Sequence, residues 1–204
     1  KPVVLGLASD ATPATTRGLR PARRVMSPAA GYSIQAHEIT WSELEPWLAA
    51  NASMKFTLPA SVPSDGAARA KLPVVGVPWE VASAYCHSIG GALPTEEQWE
   101  YAARGAEKRE YAWGTAPIDL LRVHAFAGRD GLLAPGMTSD QDVTPNGIHD
   151  MMGNAREWTA SLWREDSPGT DESWVQDGAT TARAMRGWPL AMDPPKGFAG
   201  YFSE

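Results

Sequence analysis

Two short helical patterns constrain this fold more than any other feature of the sequence. In residues 79–89 the apolar side chains recur at helical spacing, and the pair of glycines that follows ends the helix because glycine tolerates a positive φ. Residues 95–104 form the second pattern, which starts at the N-cap residue Thr95 and closes a capping box on Gln98. The sequence therefore predicts two principal helices over these ranges.

Turn-forming residues interrupt the rest of the chain. Its 204 residues include 19 glycines, 17 prolines and 9 tryptophans. Frequent glycine and proline shorten the regular elements, and broad indole rings fill the spaces between them. Helical bundles and doubly wound sheets need longer periodic elements, so we expect an α+β fold with much irregular structure. The length suits one compact core, and residues 1–204 are predicted to form a single domain.

Charge and hydropathy argue against nucleic-acid binding and against a membrane-spanning segment. The net charge is −6 at pH 7, whereas nucleic-acid binding relies on Lys and Arg to neutralise phosphates. The short basic run Arg17–Arg24 is more typical of a solvated connecting loop than of an anion-binding patch. No apolar run approaches the roughly 20 residues that a membrane helix needs. We therefore expect no nucleic-acid partner and no transmembrane segment.

Upstream of the two principal helices, the sequence predicts a strand, a further helix and a loop. Residues 32–36 alternate in polarity as a strand does. Two overlapping capping boxes follow, one starting at Thr40 and one at Ser42. Because proline is tolerated only near the first turn of a helix, Pro46 favours the start at Ser42. Residues 51–71 are predicted to form a loop.

Several blocks of sequence occur in a characteristic order. The central pair is Pro73–Cys86, PVVGVPWEVASAYC, followed by Gly91–Gly105, GALPTEEQWEYAARG. The others are HEIT at His37–Thr40, YAWG at Tyr111–Gly114, PNGIHDMMGNAREWT at Pro145–Thr159 and RAMRG at Arg183–Gly187. Together they resemble the formylglycine-generating-enzyme (sulfatase-modifying-factor) family. The resemblance implies a C-type-lectin-like α+β fold with two main helices and small antiparallel sheets, in a bacterial, extracytoplasmic setting (periplasmic or secreted).

The chain departs from that family where the oxidase chemistry resides. In formylglycine-generating enzymes proper, two cysteines after the Arg-Gly strand bind copper(I), a soft ion that prefers thiolates. No cysteine follows Gly187 here, and the single thiol of the chain is Cys86 on the first signature helix. We therefore expect no copper site and no catalytic residue. Cys86 is predicted to be a small buried hydrophobe with a raised pKa.

A calcium site is implied by the Gly-Asn-x-x-Glu-Trp block. By position in that block, its ligands are Asp150, Gly153, Ala155 and Glu157. Two carboxylates and two backbone carbonyls make a suitable hard-oxygen shell for Ca²⁺. The alternative is that both carboxylates only cap turns. Arg156 stands where the family pattern has an aromatic residue, and this departure is expected to remodel any groove that the fold presents.

The histidines and tryptophans give two further predictions. The histidines lack metal-ligand spacing and are expected to be ordinary polar residues; the alternative is a relocated metal site that His149 forms with His124 or with Asp150. They are His37, His87, His124 and His149. The tryptophans expected in the core lie inside the family blocks, and they are Trp79, Trp99, Trp113 and Trp158. The candidates for an exposed, ligand-facing role are Trp174 and Trp188.

Three functional hypotheses follow from these features. The first, which the missing cysteines favour, is a non-catalytic binding module with a protein or peptide partner, stabilised by calcium. The second is an enzyme of the family with altered oxidative chemistry on a peptide-derived substrate. The third is a formylglycine-generating oxidase represented by a truncated chain.

Overall fold

A computed structural model describes residues 31–60, 62–107, 109, 111–114, 134, 142–162 and 183–187, and the backbone of two strands at 3–5 and 23–25. Its elements, in chain order, are β1 Val3–Leu5, β2 Arg23–Val25, α1 Trp41–Ala50, α2 Gly66–Arg69, α3 Trp79–Ser88, α4 Glu96–Arg104, β3 Glu157–Leu162 and β4 Arg183–Arg186. The fold is mixed α and β, as predicted. None of the helices described is long and apolar enough to cross a membrane.

The strands form two small antiparallel sheets. In one, β1 pairs with β2, so the basic run predicted to be a loop contributes Arg23 and Arg24 to a strand. In the other, β3 pairs with β4 and places Glu157 opposite Arg186. The register of this second pair shifts between Trp158 and Leu162, and β3 lies against both α3 and α4. The prediction of small antiparallel sheets is confirmed.

The two principal helices lie where the sequence places them. Helix α3 ends at Ser88, and Gly90 beyond it has a φ of 83°, the conformation for which glycine is suited. Helix α4 is capped by Thr95, whose hydroxyl accepts from the Gln98 N–H at 3.2 Å. The Gln98 side chain in turn accepts from the Thr95 N–H at 2.8 Å, which completes the predicted capping box.

Helix α1 begins earlier than predicted. The start at Ser42 is wrong, because the N-cap residue is Thr40. The carboxylate of Glu43 accepts the Thr40 N–H at 2.8 Å, so the first of the two overlapping capping boxes is used. Glu45, the acidic residue of the competing box, instead pairs with Arg69 Nε at 2.5 Å. A helix start at Ser42 would need the Glu45 carboxylate to bond the Ser42 N–H, and that carboxylate is engaged by Arg69.

Two further predictions need correction. Residues 32–36 are not a strand, although Tyr32 and Ile34 are half-buried between exposed neighbours. The Tyr32 hydroxyl donates to the Gln98 carbonyl at 2.6 Å, so side-chain packing against α4 accounts for the alternation. The predicted loop 51–71 contains the short helix α2, capped by Asp65. Because α1 and α3 each have 10 residues and α4 has 9, the described part of the chain contains three helices of similar length instead of the two predicted.

Two hydrophobic cores hold these elements. The α1 core consists of Trp41, Leu44, Val62 and Tyr85. The α4 core consists of Trp99, Ala102, Ala103, Tyr111, Ala112, Ile148, Met151 and Met152. Of the tryptophans expected in the core, Trp99 is fully buried and the other three are partly buried. Trp174 and Trp188 lie outside the described residues.

Charged side chains are buried beside the α4 core. The Glu100 carboxylate is fully buried and accepts from Arg104 at 2.9 Å. It also pairs with Arg186 of β4, whose guanidinium carbon lies 5.2 Å from the centre of the Trp99 ring. This buried ion pair therefore ties the last strand to the second signature helix.

A carboxylate loop beside an apolar cavity

The loop before β3 has an unusual backbone. Asp150 and Asn154 have φ values of 59° and 62°, in the left-handed region that few residues other than glycine adopt. Asn and Asp are the residues most often found there, because their short polar side chains bond locally. Both side chains are buried, with 1% exposure each. The loop therefore turns sharply while holding polar groups inside the protein.

Two carboxylates from outside the loop hold it in place. Glu38 accepts the Ala155 N–H at 2.9 Å and the Asn154 side-chain amide at 2.7 Å. Asp142 accepts the Met152 N–H at 2.9 Å through its Oδ2 atom. The sequence analysis did not identify Glu38 or Asp142 as part of this site. Glu38 lies in the HEIT block, but its contacts are with residues more than a hundred positions away.

Burial and mutual repulsion raise the pKa values of the carboxylates around this loop. Burial raises the pKa of Glu38 well above its usual value, and Glu157 and Asp150 raise it further. Burial likewise raises the pKa of Asp142. The pKa of Glu157 is raised to about 7, first by burial and then by Asp150, against a hydrogen bond from the Trp99 indole. A bound cation would relieve this repulsion.

The predicted calcium ligands share one loop. Asp150, Gly153, Ala155 and Glu157 all lie in it, and Asp150 is close enough to Glu157 to raise its pKa. Within the described ranges, no three His, Cys, Asp or Glu side chains are arranged to hold a metal ion. The predicted set has only two carboxylates and completes its shell with carbonyls. Calcium binding at this loop therefore stays a prediction.

The loop also brings two histidines together. His37 and His149 stack with ring centres 4.7 Å apart and planes inclined by 25°. The backbone N–H of His149 donates to the Ala36 carbonyl at 2.9 Å, and this bond holds the segment before α1 beside the carboxylate loop. The Nδ1 atom of His149 is buried, and no group of the described residues forms a hydrogen bond with it. This pairing was not predicted; of the two partners considered for His149, Asp150 and His124, the second lies outside the described residues.

A cavity of about 590 Å³ opens next to the loop. Its wall is mostly apolar and comes from residues 32–39, α3 with the segments that flank it, and residues 148–158, with Leu44 as the one residue of α1. The apolar side chains include Ile34, Leu44, Val77, Tyr85, Ile89 and Leu93. The charged or ionisable side chains at the loop end are His37, Glu38, His149, Arg156 and Glu157. The predicted groove-remodelling residue Arg156 thus lies at a cavity.

Cys86 lines the same cavity. Its side chain is half-buried, so the prediction of a small buried hydrophobe is correct only in part. Burial raises the pKa of the thiol, as predicted. Since the thiolate is the nucleophile, this shift makes Cys86 a slow nucleophile.

Comparison with known proteins identifies the family. Residues 3–194 match the sulfatase-modifying factor enzyme 1-like domain. The chain belongs to this family. It is 37% identical over 134 residues to the inactive C-alpha-formylglycine-generating enzyme 2 of Mus musculus, covering 56% of this chain and 42% of that protein. It is 41% identical over 121 residues to the formylglycine-generating enzyme of Mycobacterium tuberculosis, covering 52% and 40%.

A third protein to which the chain is similar is a protein kinase. The chain is 40% identical over 100 residues to the serine/threonine-protein kinase pkn1 of Chlamydia pneumoniae, covering 48% of this chain and 15% of the kinase. The chain therefore spans about two fifths of the length of the first two relatives and a smaller share of the kinase.

Proposed function

We propose that this chain is a non-catalytic member of its family that binds a protein or peptide partner through the cavity beside the carboxylate loop. The observation that carries the proposal is the cavity itself. Its volume of about 590 Å³ lies within the range of ligand sites, and its apolar wall meets a small set of polar groups at one end. Such a combination supplies affinity from the wall and orientation from the polar end.

The thiol content supports a non-catalytic role. Copper(I) chemistry on soft ligands needs a pair of thiolates, and this polypeptide has one cysteine. That cysteine lines the cavity with a raised pKa, whereas a reactive thiol needs a lowered one. One relative bears the name of an inactive enzyme, and in the kinase the similar segment is a small part of the protein, as expected for an accessory domain.

Calcium is proposed as a structural component of the same region. Asp150 and Glu157 would supply charge, and the carbonyls of Gly153 and Ala155 would complete the shell. The repulsion that raises the pKa of Glu157 favours this assignment, because a divalent cation would offset it. Its contribution is to stabilise the loop that forms the polar end of the cavity. A C-type-lectin-like arrangement of the fold and an extracytoplasmic location belong to the same proposal.

The alternative is an oxidative enzyme, acting on a peptide-derived substrate or present here as part of a longer oxidase. The identity of 41% to a formylglycine-generating enzyme favours it. The test is incubation with copper and a Cys-containing sulfatase-type peptide, followed by mass spectrometry. An aldehyde product would establish the alternative, and unchanged peptide would support the non-catalytic function.

The single cysteine makes the binding function directly testable. We expect the neutral dye Nile red to bind with increased fluorescence and to slow maleimide labelling of Cys86, because both occupy the cavity. Ala82→Trp, on the cavity wall, should abolish both effects, whereas Ala49→Trp, on the exposed face of α1, should leave them intact. If neither fluorescence nor labelling responds to the dye in the folded protein, the cavity does not bind and the proposal fails.

A further inference from the structure

We propose that the partner of this cavity is an extended peptide segment that adds a strand to residues 32–37. This inference rests on the proposed binding function and adds the conformation and chemistry of the ligand. Residues 32–37, hereafter the edge segment, run along one side of the cavity, and all of them except Ala36 line it.

The backbone of the edge segment presents hydrogen-bonding groups on one side. Side-chain burial alternates along residues 32–35, as it does in an extended chain. The Ala36 carbonyl accepts from the His149 N–H, so the backbone of Ala36 faces the carboxylate loop. In an extended chain the backbone groups of alternate residues share an edge, which places those of Ser33 and Gln35 on the opposite side. Both residues are exposed, and nothing among the described residues bonds their backbone N–H or carbonyl groups.

A short pairing beside the cavity indicates where a partner strand would lie. Thr40 and Pro73 form an antiparallel bridge, and the Val74 N–H donates to the Ile39 carbonyl at 2.8 Å. Within the described ranges this pairing does not continue along the edge segment. Val74 itself lines the cavity. A peptide strand beside the edge segment would therefore prolong an existing pairing into the cavity.

Hydrogen bonds fix both ends of the edge segment before any partner binds. The Tyr32 hydroxyl donates to the Gln98 carbonyl at 2.6 Å, which anchors the first residue to α4. The bond from the His149 N–H to the Ala36 carbonyl, at 2.9 Å, anchors the other end. A backbone that is already held in place loses little conformational entropy on binding, so more of the interaction free energy appears as affinity.

The edge segment lacks the usual protection of an unpaired strand edge. Natural proteins block such edges with lysine, proline or inward-pointing charges, because free backbone groups attract other strands. Tyr32–Ala36 contains neither a charged residue nor a proline. An unprotected edge beside an apolar cavity is suited to strand addition, in which main-chain hydrogen bonds give affinity and pockets for alternate side chains give specificity.

The cavity and the charge of the chain define the side chains of this peptide. Alternate side chains of a strand point to the same face, so apolar residues at alternate positions would enter the cavity together. The apolar wall that would contact them includes Val77, Leu93 and Ile89, and Ile89 is 51% exposed. The intervening side chains would remain in solvent, and basic ones complement a chain with a net charge of −6.

Backbone-methylated peptides test the inference. The parent probe is acetyl-Lys-Val-Lys-Phe-Lys amide, and two matched probes carry N-methyl groups either on Val and Phe or on the Lys residues. Because the N–H groups of neighbouring residues point to opposite edges of a strand, only one set faces the protein. We expect one methylated probe to bind roughly tenfold or more weakly than the parent, and the other to bind within about threefold of it. Displacement of Nile red and protection of Cys86 from maleimide measure the affinities.

Hydrogen exchange and variants locate the pairing on the protein. The parent probe should slow amide exchange at Ser33 and Gln35 and leave exchange at Ser53, an exposed residue that does not line the cavity, unchanged. Gln35→Pro removes one N–H donor and should weaken binding of the probe about tenfold. Gln35→Ala is the matched control, since it keeps the N–H and should bind the probe as the wild-type chain does.

Circular dichroism and thermal melting establish that each variant is folded, and Nile red should bind to both. If Gln35→Pro does not fold, Ser33→Pro with Ser33→Ala as its control, together with the methylated probes, decides.

The outcomes separate this inference from the binding function. Equal weakening by the two methylated probes, or weakening by neither, with Nile red still bound, would overturn strand addition and leave the cavity as a binding site. Absence of binding by the dye and by every peptide would overturn both. A concentration-dependent dimer that Gln35→Pro dissociates would make a second copy of the chain the occupant and overturn the peptide partner.

Discussion

The two cores of this protein are stabilised by different interactions. The α1 core buries only apolar and aromatic side chains, such as Trp41 and Leu44, and its charged residues stay near the surface. The α4 core buries Trp99 beside Glu100 and Arg186. Apolar contacts in the first core can be rearranged at modest cost, whereas the ions in the second must keep their partners. The carboxylate loop adjoins this second, less tolerant region, whereas the cavity is lined by members of both cores.

Methionine substituted into each core gives the largest expected contrast. Glu100→Met leaves the buried guanidinium groups of Arg104 and Arg186 without their shared carboxylate. Removing one partner of a buried ion pair costs about 3–5 kcal/mol. Leu44→Met conserves volume in the α1 core and should cost less than about 1.5 kcal/mol. Urea unfolding measures both free energies, and similar losses would show that the two cores do not differ.

Chelation should affect the α4 side of the molecule. If calcium occupies the loop, binding to the native state adds about 2.7 kcal/mol at a hundredfold excess over Kd. In a domain of this size that corresponds to a melting shift of roughly 5–10 °C. We expect EDTA to lower the Tm of the wild-type chain by this amount, and calcium to restore it.

Two substitutions locate that effect. Asp150→Ala should abolish the sensitivity of Tm to EDTA. Asp65→Ala, which removes the cap of α2 far from the loop in sequence, should preserve it. A wild-type Tm that is indifferent to the chelator would leave Asp150 and Glu157 as turn-capping carboxylates.

On both sides of the molecule the sequence revealed local features and missed the contacts between distant segments, for physical reasons. Apolar periodicity and capping boxes are local, so α3 and α4 were located to within about a residue. Glu100 on α4 looks like part of a solvated helical face, because its partner Arg186 is 86 residues away. The strand predicted at residues 32–36 is absent for a related reason. Alternating polarity shows which side chains are buried, but it does not show that another strand pairs with the backbone.

The residues of the candidate site likewise include some that the sequence could identify and some that it could not. Its loop ligands, Asp150 to Glu157, could be named because they share one motif. Glu38, Asp142 and the stack of His37 on His149 could not, since each depends on contacts between distant segments. The cavity is a property of packing alone, and only the substitution at Arg156 hinted at it.

The two N-caps provide a smaller test of the same contrast. In α4, the Thr95 hydroxyl accepts a backbone N–H, and its loss in Thr95→Ala should cost about 1 kcal/mol. In α1, the Thr40 hydroxyl instead donates to the Glu43 carboxylate at 2.7 Å, and Glu43 still binds the Thr40 N–H. Thr40→Ala should therefore cost only a few tenths of that value. Urea unfolding of both variants checks the order, and a larger loss for Thr40→Ala would contradict it.

The smallest expected effect is confined to alkaline pH and distinguishes two tyrosines. Burial, then the neighbouring Tyr101, raises the pKa of Tyr32 to about 12, and burial followed by Glu43 and Cys86 raises the pKa of Tyr85 in the α1 core. An unfolded tyrosine ionises near pH 10, so the folded state holds more protons between about pH 10 and 12. The stability that Tyr32 contributes is therefore complete below about pH 10 and is lost as the pH rises towards 12. Ultraviolet titration should show late ionisation that Tyr32→Phe diminishes. An unchanged curve in that variant would mean that the hydroxyl bonded to Gln98 is not protected from ionisation.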